Sequence, residues 1–169
     1  MAGYTAQIAL ITHFLGLTEY GIFAIVVSTV DLVGRVFDFQ VGQMTQAFAA
    51  ETFRSDARKT VGIAQFSYAI DLGAGLAGFL LVAAIAPIAA SRLLDGEYGA
   101  GLFVLYALTM LVTTTETTSI ALLQLSRRFG SILRLIIVRE TLRVSLIVVA
   151  LVTTRSLVAV VLALVVMEG

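Results

Sequence analysis

A chain of 169 residues that is 59% hydrophobic and 13% charged, with a mean hydropathy of +1.01, lacks the surface of a soluble domain, where about 25% charged residues are usual. Its 11 basic and 11 acidic residues balance, leaving no basic excess that would suit nucleic acid. The absence of cysteine excludes disulfides, thiolate metal sites and a cysteine nucleophile. The composition points to an integral membrane protein. Long apolar runs, unlike the alternating strands of about ten residues that build a barrel, predict an all-α, polytopic transmembrane helix bundle, one domain over 1–169.

The apolar runs fall at 2–16, 20–41, 61–90, 101–125, 132–153 and 156–167. A spanning helix needs roughly 20 apolar residues, so the middle four are long enough. The first and last are short: either they are half-spans or the chain is a piece of a longer protein, and the second reading is the one expected. The N-terminal MAGYTAQIALITHFLG has no basic region and makes a poor signal peptide. His13 is the only histidine and reads as an interfacial residue, not a metal ligand.

Basic residues set the orientation. The connection at 42–60 holds Arg54, Arg58 and Lys59, and that at 124–134 holds Arg127, Arg128 and Arg134; Arg92 and Arg155 lie on the opposite side. The positive-inside rule makes 42–60 and 124–134 cytoplasmic. LGLTEYG (15–21) and LLDGEYG (93–99) echo each other, placing Glu19 and Glu97 at positive helix N-termini and Tyr20 and Tyr98 at the interface.

Within the second run, DLVGRVFD carries Asp31, Arg35 and Asp38 at spacings of four and three, on one helical face. At 1.5 Å per residue from Tyr20, Asp31 lies roughly 16 Å deep and Arg35 roughly 22 Å. A charge at the bilayer centre costs about 2.5–3.5 kcal/mol on insertion scales, so the stripe must face other helices or water. Two readings stand: Arg35 bridges the two aspartates to tie helices together, or the stripe lines a hydrophilic cavity. The third run adds Asp71 before the small-residue stretch GAGLAG (73–78), which favours close helix approach. In the fourth, Thr109, Thr113, Glu116 and Ser119 recur at spacings of three and four. Lone threonines bond back to helix carbonyls; Glu116 among them predicts a wet interior face. In the fifth, Arg139 and Arg143 lie one turn apart beside Glu140, placed either to line the interior or to snorkel to headgroups. No Ser-His-Asp set, phosphate loop or paired catalytic carboxylates appear, so an enzyme is not expected and no cofactor is implied.

The segment FLGLTEYGIFAIVVSTVDLVGRVFDFQVGQMTQAFAAE (14–51) resembles the start of bacterial polysaccharide-biosynthesis membrane proteins, the oligosaccharide flippases of the multidrug/oligosaccharidyl-lipid/polysaccharide exporter superfamily. Leu15, Gly16, Glu19, Tyr20 and Gly21 match that family's outward turn, and Asp38, Phe39, Gly42 and Gln43 its helix end; Gln40 stands where the family has glycine. LLQLSRRFGSILRLIIVRETLRVSLIVVALV (122–152) and LLDGEYGAG (93–101) resemble its later loop, arginine-bearing helix and outward turn.

The resemblance implies a multi-pass inner-membrane flippase that moves a lipid-linked oligosaccharide, a polyprenyl-pyrophosphate sugar, to the outer leaflet by alternating access. It also implies that this chain covers most of an N-terminal bundle whose partner is a C-terminal half-bundle. Cavity candidates for the substrate are Arg35, Asp31, Asp38, Glu116, Arg139 and Arg143, with the arginines suited to phosphate. The alternatives are a drug or cation antiporter of the same superfamily, with Asp31 on the coupling ion, and an inactive fragment or scaffold.

Overall fold

The computed structural model describes residues 12–14, 16–38, 41–52, 56–94, 99–125, 129–154 and 156–168, and contains no strand among them. Six helices follow a short helical stretch at 12–14: α1 Leu17–Phe37, α2 Val41–Thr52, α3 Ala57–Leu93, α4 Gly101–Leu125, α5 Phe129–Thr154 and α6 Leu157–Glu168. The predicted first run lies almost wholly outside the described residues, as do Arg54, Glu97, Tyr98, Arg127, Arg128 and Arg155. The other five runs each correspond to one helix. By length and composition one described helix, Arg58–Leu93 within α3, is long and apolar enough to cross a membrane; the apolar Leu157–Met167 is shorter.

The connection expected at 42–60 is a correction. Most of it is the helix α2, whose Val41, Thr45 and Ala49 are buried at spacings of four against the bundle. Its apolar stripe is narrow and built partly from small or polar residues, so it does not register as an apolar run. α3 then starts at Ala57 because Asp56 caps it, its side chain accepting from the Lys59 N–H at 3.1 Å.

Gly16 precedes α1 at φ 91°, a left-handed conformation that glycine adopts without strain. The echo at 93–99 is not a structural repeat in register. Gly99 has φ 59° in a turn, whereas Gly21, its counterpart in sequence, lies within α1.

α4 is the central helix and packs on α1, α2, α3, α5 and α6. It runs antiparallel to α3: Tyr68 pairs with Ser119 and Asp71 with Thr118, and further along Gly78 gives room to Met110. α2 packs against both, with Thr45 against Ser67 of α3 and Gln46 bonded to Gln124 of α4.

These contacts divide the bundle into two layers. One is wholly apolar: Phe23, Val26, Val82, Phe103, Leu151 and Val160 belong to a continuous buried cluster drawn from α1, α3, α4, α5 and α6. The other, at the opposite end, is tied by side-chain hydrogen bonds. There the Thr45 hydroxyl donates to the Val41 carbonyl at 2.8 Å and lies 2.7 Å from Ser67 Oγ. A hydroxyl carries one proton, so Ser67 donates that second bond.

Candidate binding cavity

Between the two layers a cavity of about 810 Å³ opens where the end of α1, the start of α2, the middle of α3 and the second half of α4 converge. Five of the six candidate residues line it: Asp31, Arg35, Asp38, Glu116 and Arg143. Arg139 is not among the lining residues; it pairs with Glu116 across the gap between α4 and α5.

The spacing of the α1 stripe carries through, since Asp31, Arg35 and Asp38 share the cavity face. Asp38 ends the helix with an extended backbone, φ −78° and ψ 92°, and α2 begins at Val41, so the break between the two helices lies in the cavity wall. Among the described residues, no ion pair joins Arg35 to Asp31 or Asp38. Asp31 instead sits within electrostatic reach of Arg35 on its own helix and of Arg143 on α5.

On the α3 side Asp71 is buried, and its carboxylate accepts from the Thr118 hydroxyl at 2.6 Å. Hydrogen bonds to a charged acceptor contribute about 1.5–3 kcal/mol, and a stranded buried partner costs as much. Thr118→Val should therefore destabilise the folded chain by about 2 kcal/mol, with Thr118→Ser close to native. Unfolding titrations in mixed detergent micelles measure both; an unchanged Thr118→Val would remove this bond from the account.

The threonines behave as expected for helix interiors. Thr109 donates to the Tyr106 carbonyl at 2.6 Å and Thr113 to the Thr109 carbonyl at 2.8 Å. Their protons are engaged, so toward the cavity they offer acceptor lone pairs. Ser119 faces Tyr68 at 2.8 Å and does not line the cavity.

Three lining amides escape the sequence reading: Gln43, Gln46 and Gln124. Gln43 enters there only through the helix-end motif, and the other two have no assigned role. The available signal was the spacing of three between Gln43 and Gln46, which puts both on one side of a helix, but the segment carrying them reads as a connection. Asp71, expected to face the interior, lines the same cavity.

The lining carboxylates Asp31, Asp38, Asp71 and Glu116 outnumber the lining guanidiniums Arg35 and Arg143. Among the described residues no group of three or more metal-ligating side chains gathers in one place. The cavity is thus a mixed surface: fixed cations from α1 and α5, carboxylates from α1, its C-terminal end, α3 and α4, and amides from α2 and α4. Such a lining suits a polar ligand with both charged and hydroxyl groups. Compared with protein-family models, with curated proteins and with solved structures, the chain matches none.

Proposed function

We propose that the chain is a polytopic bundle of the inner membrane whose cavity receives the polar head of a lipid-linked oligosaccharide for transfer to the outer leaflet. One observation carries this reading: the bundle is inside-out. Charged and amide side chains of α1, α2, α3, α4 and α5 converge on one open cavity, while Leu32, Val36, Phe66, Leu80, Ile88 and Val149 stand exposed away from it. A soluble protein hides such residues; lipid solvates them. In its most apolar window α3 is only 28% buried, unlike the core helix of a soluble domain. α1, α4 and α5, with 21, 25 and 26 residues, extend about 31, 37 and 39 Å, enough for a hydrocarbon core of about 30 Å. α1 brings Asp31 and Arg35, α4 Glu116 and α5 Arg143 to the cavity.

Arg58 and Lys59 lie at the cavity end of α3 and Arg92 at the sealed end. With the positive-inside rule, the cavity then opens toward the cytoplasm, where the lipid-linked sugar is made, and the apolar layer seals the outer side. A volume of about 810 Å³ falls in the range of ligand pockets, about 300–1,000 Å³. Guanidinium keeps its charge at every working pH and grips phosphate with two donors. Carboxylates and amides satisfy sugar hydroxyls that would otherwise be stripped of water. In a complete transporter a C-terminal half-bundle would supply the opposing wall for alternating access.

A cation-coupled antiporter is the second reading, and the excess of lining carboxylates is what favours it. Binding separates the two. The purified chain in lipid nanodiscs should bind a polyprenyl-pyrophosphate oligosaccharide and ignore the matching polyprenyl alcohol. Binding of neither, with saturable binding of an organic cation, would replace the flippase reading by the antiporter.

A further inference from the structure

The helix α5 is held to the bundle in two different ways along its length. From Ile147 onward it packs: Ile147 and Leu151 are fully buried beside α6. From 129 to 146 none of its residues is buried. Two of its links to neighbouring helices are electrostatic. Arg139 pairs with Glu116 of α4, and Arg143 lies within electrostatic reach of Asp31 of α1.

The spacing is informative. Arg139, Arg143, Ile147 and Leu151 follow one another at intervals of four, along one face of the helix. The face is ionic over its first half and apolar over its second. Apolar packing fixes a helix at short range, whereas an ion pair can be exchanged for another anion without leaving a void. Guanidinium cannot shed its charge, so each arginine needs an anion: the lining carboxylate Glu116 supplies it for Arg139, and Glu140 of its own helix, at 3.9 Å, for Arg143. Arg143 lines the cavity and Glu116 lines it too, so a ligand there meets both residues.

We propose that the Glu116–Arg139 ion pair is a charge latch, which holds the inner half of α5 over the cavity and which an anionic ligand, meeting Glu116 and Arg143 in the lining, releases. Ile147 and Leu151 are the pivot. Arg139 is on this view a positioning residue, since it stands outside the lining. The ligand half of the inference rests on the pyrophosphate reading above; the latch itself does not.

The chain has no cysteine, so a spin-label pair at Ser131→Cys on α5 and Gln65→Cys on α3, both exposed positions, reports the gap. Electron–electron distance measurement in nanodiscs should give one narrow distribution. Glu116→Gln and Arg139→Gln should each move it outward by about 5 Å or more, one helical turn's rise. The exchanged pair, Glu116→Arg with Arg139→Glu, should restore the short distance, which separates a broken latch from a misfolded bundle. An unchanged distribution in both single variants, or no restoration in the exchange, would overturn the latch. Sodium pyrophosphate should lengthen the distance in the latched protein, and sodium chloride at equal ionic strength should not. If pyrophosphate does no more than chloride while the lipid-linked pyrophosphate still binds, the release mechanism fails alone. If neither has any effect, the pyrophosphate reading fails with it.

Discussion

Replacing Phe103 with alanine is expected to destabilise the bundle by about 2–3 kcal/mol, less than the about 3–5 kcal/mol usual in a soluble core. Phe103 is fully buried in the apolar layer, together with Val26 of α1, Val82 of α3 and Val160 of α6. In water the loss has two parts: transfer of the ring and the cavity left behind. Lipid tails are as apolar as the protein interior, so the transfer part largely vanishes for a membrane bundle. What remains is lost dispersion contact around a void of about 100 Å³, at about 24 cal/mol per Å³. Unfolding in mixed detergent micelles measures it, with Phe103→Leu as the milder companion. A cost below about 1 kcal/mol would mean that the layer collapses around the void and is not the rigid seal described.

The second large effect falls on the cavity. Arg35→Ala should weaken binding of a polyprenyl-pyrophosphate oligosaccharide by about 10–100-fold, the equivalent of one charge-assisted, two-donor contact of about 1.5–3 kcal/mol. Arg35 lies within electrostatic reach of Asp31, so the measurement has to separate loss of that attraction from loss of the ligand. Membrane abundance should stay at the native level, and in a complete transporter polymer export should be lost. Arg35→Lys should fall between, keeping the charge but not the planar fork. If abundance drops in step with binding, Arg35 serves helix assembly and not the ligand.

The contrast between Arg35 and Arg139 shows what the sequence can and cannot convey. Both are charges inside apolar helices, and the cost of exposing either to lipid already requires an inward or interfacial place. That argument fixes a face, not a partner. Arg35 reaches the cavity because its own helix turns it there, at the same spacing that sets Asp31 and Asp38. Arg139 meets Glu116 only through the register of α5 against α4, and no periodicity within one helix encodes that register.

Helix α2 marks the other limit. α3, α4 and α5 announce themselves by long apolar runs, and their observed ends fall close to those runs. α2 buries Val41, Thr45 and Ala49, a stripe too small and too polar to stand out from a loop. With α2 unread, Gln43 and Gln46 had no helix to sit on, and the amide wall of the cavity stayed hidden. Asp71 was the easier case, a carboxylate amid small and apolar residues whose need for a donor is met by Thr118.

The central claim is that exposed apolar positions on the outer face meet lipid while the polar positions that line the cavity meet water, and single cysteines in this cysteine-free chain test it directly. In membrane vesicles, a membrane-impermeant thiol reagent applied from the cytoplasmic side should label Gln43→Cys and Ala74→Cys, which line the cavity. It should spare Leu80→Cys, although Leu80 is 57% exposed, because lipid excludes the reagent there. Rapid labelling at position 80, with positions 43 and 74 protected, would contradict the account.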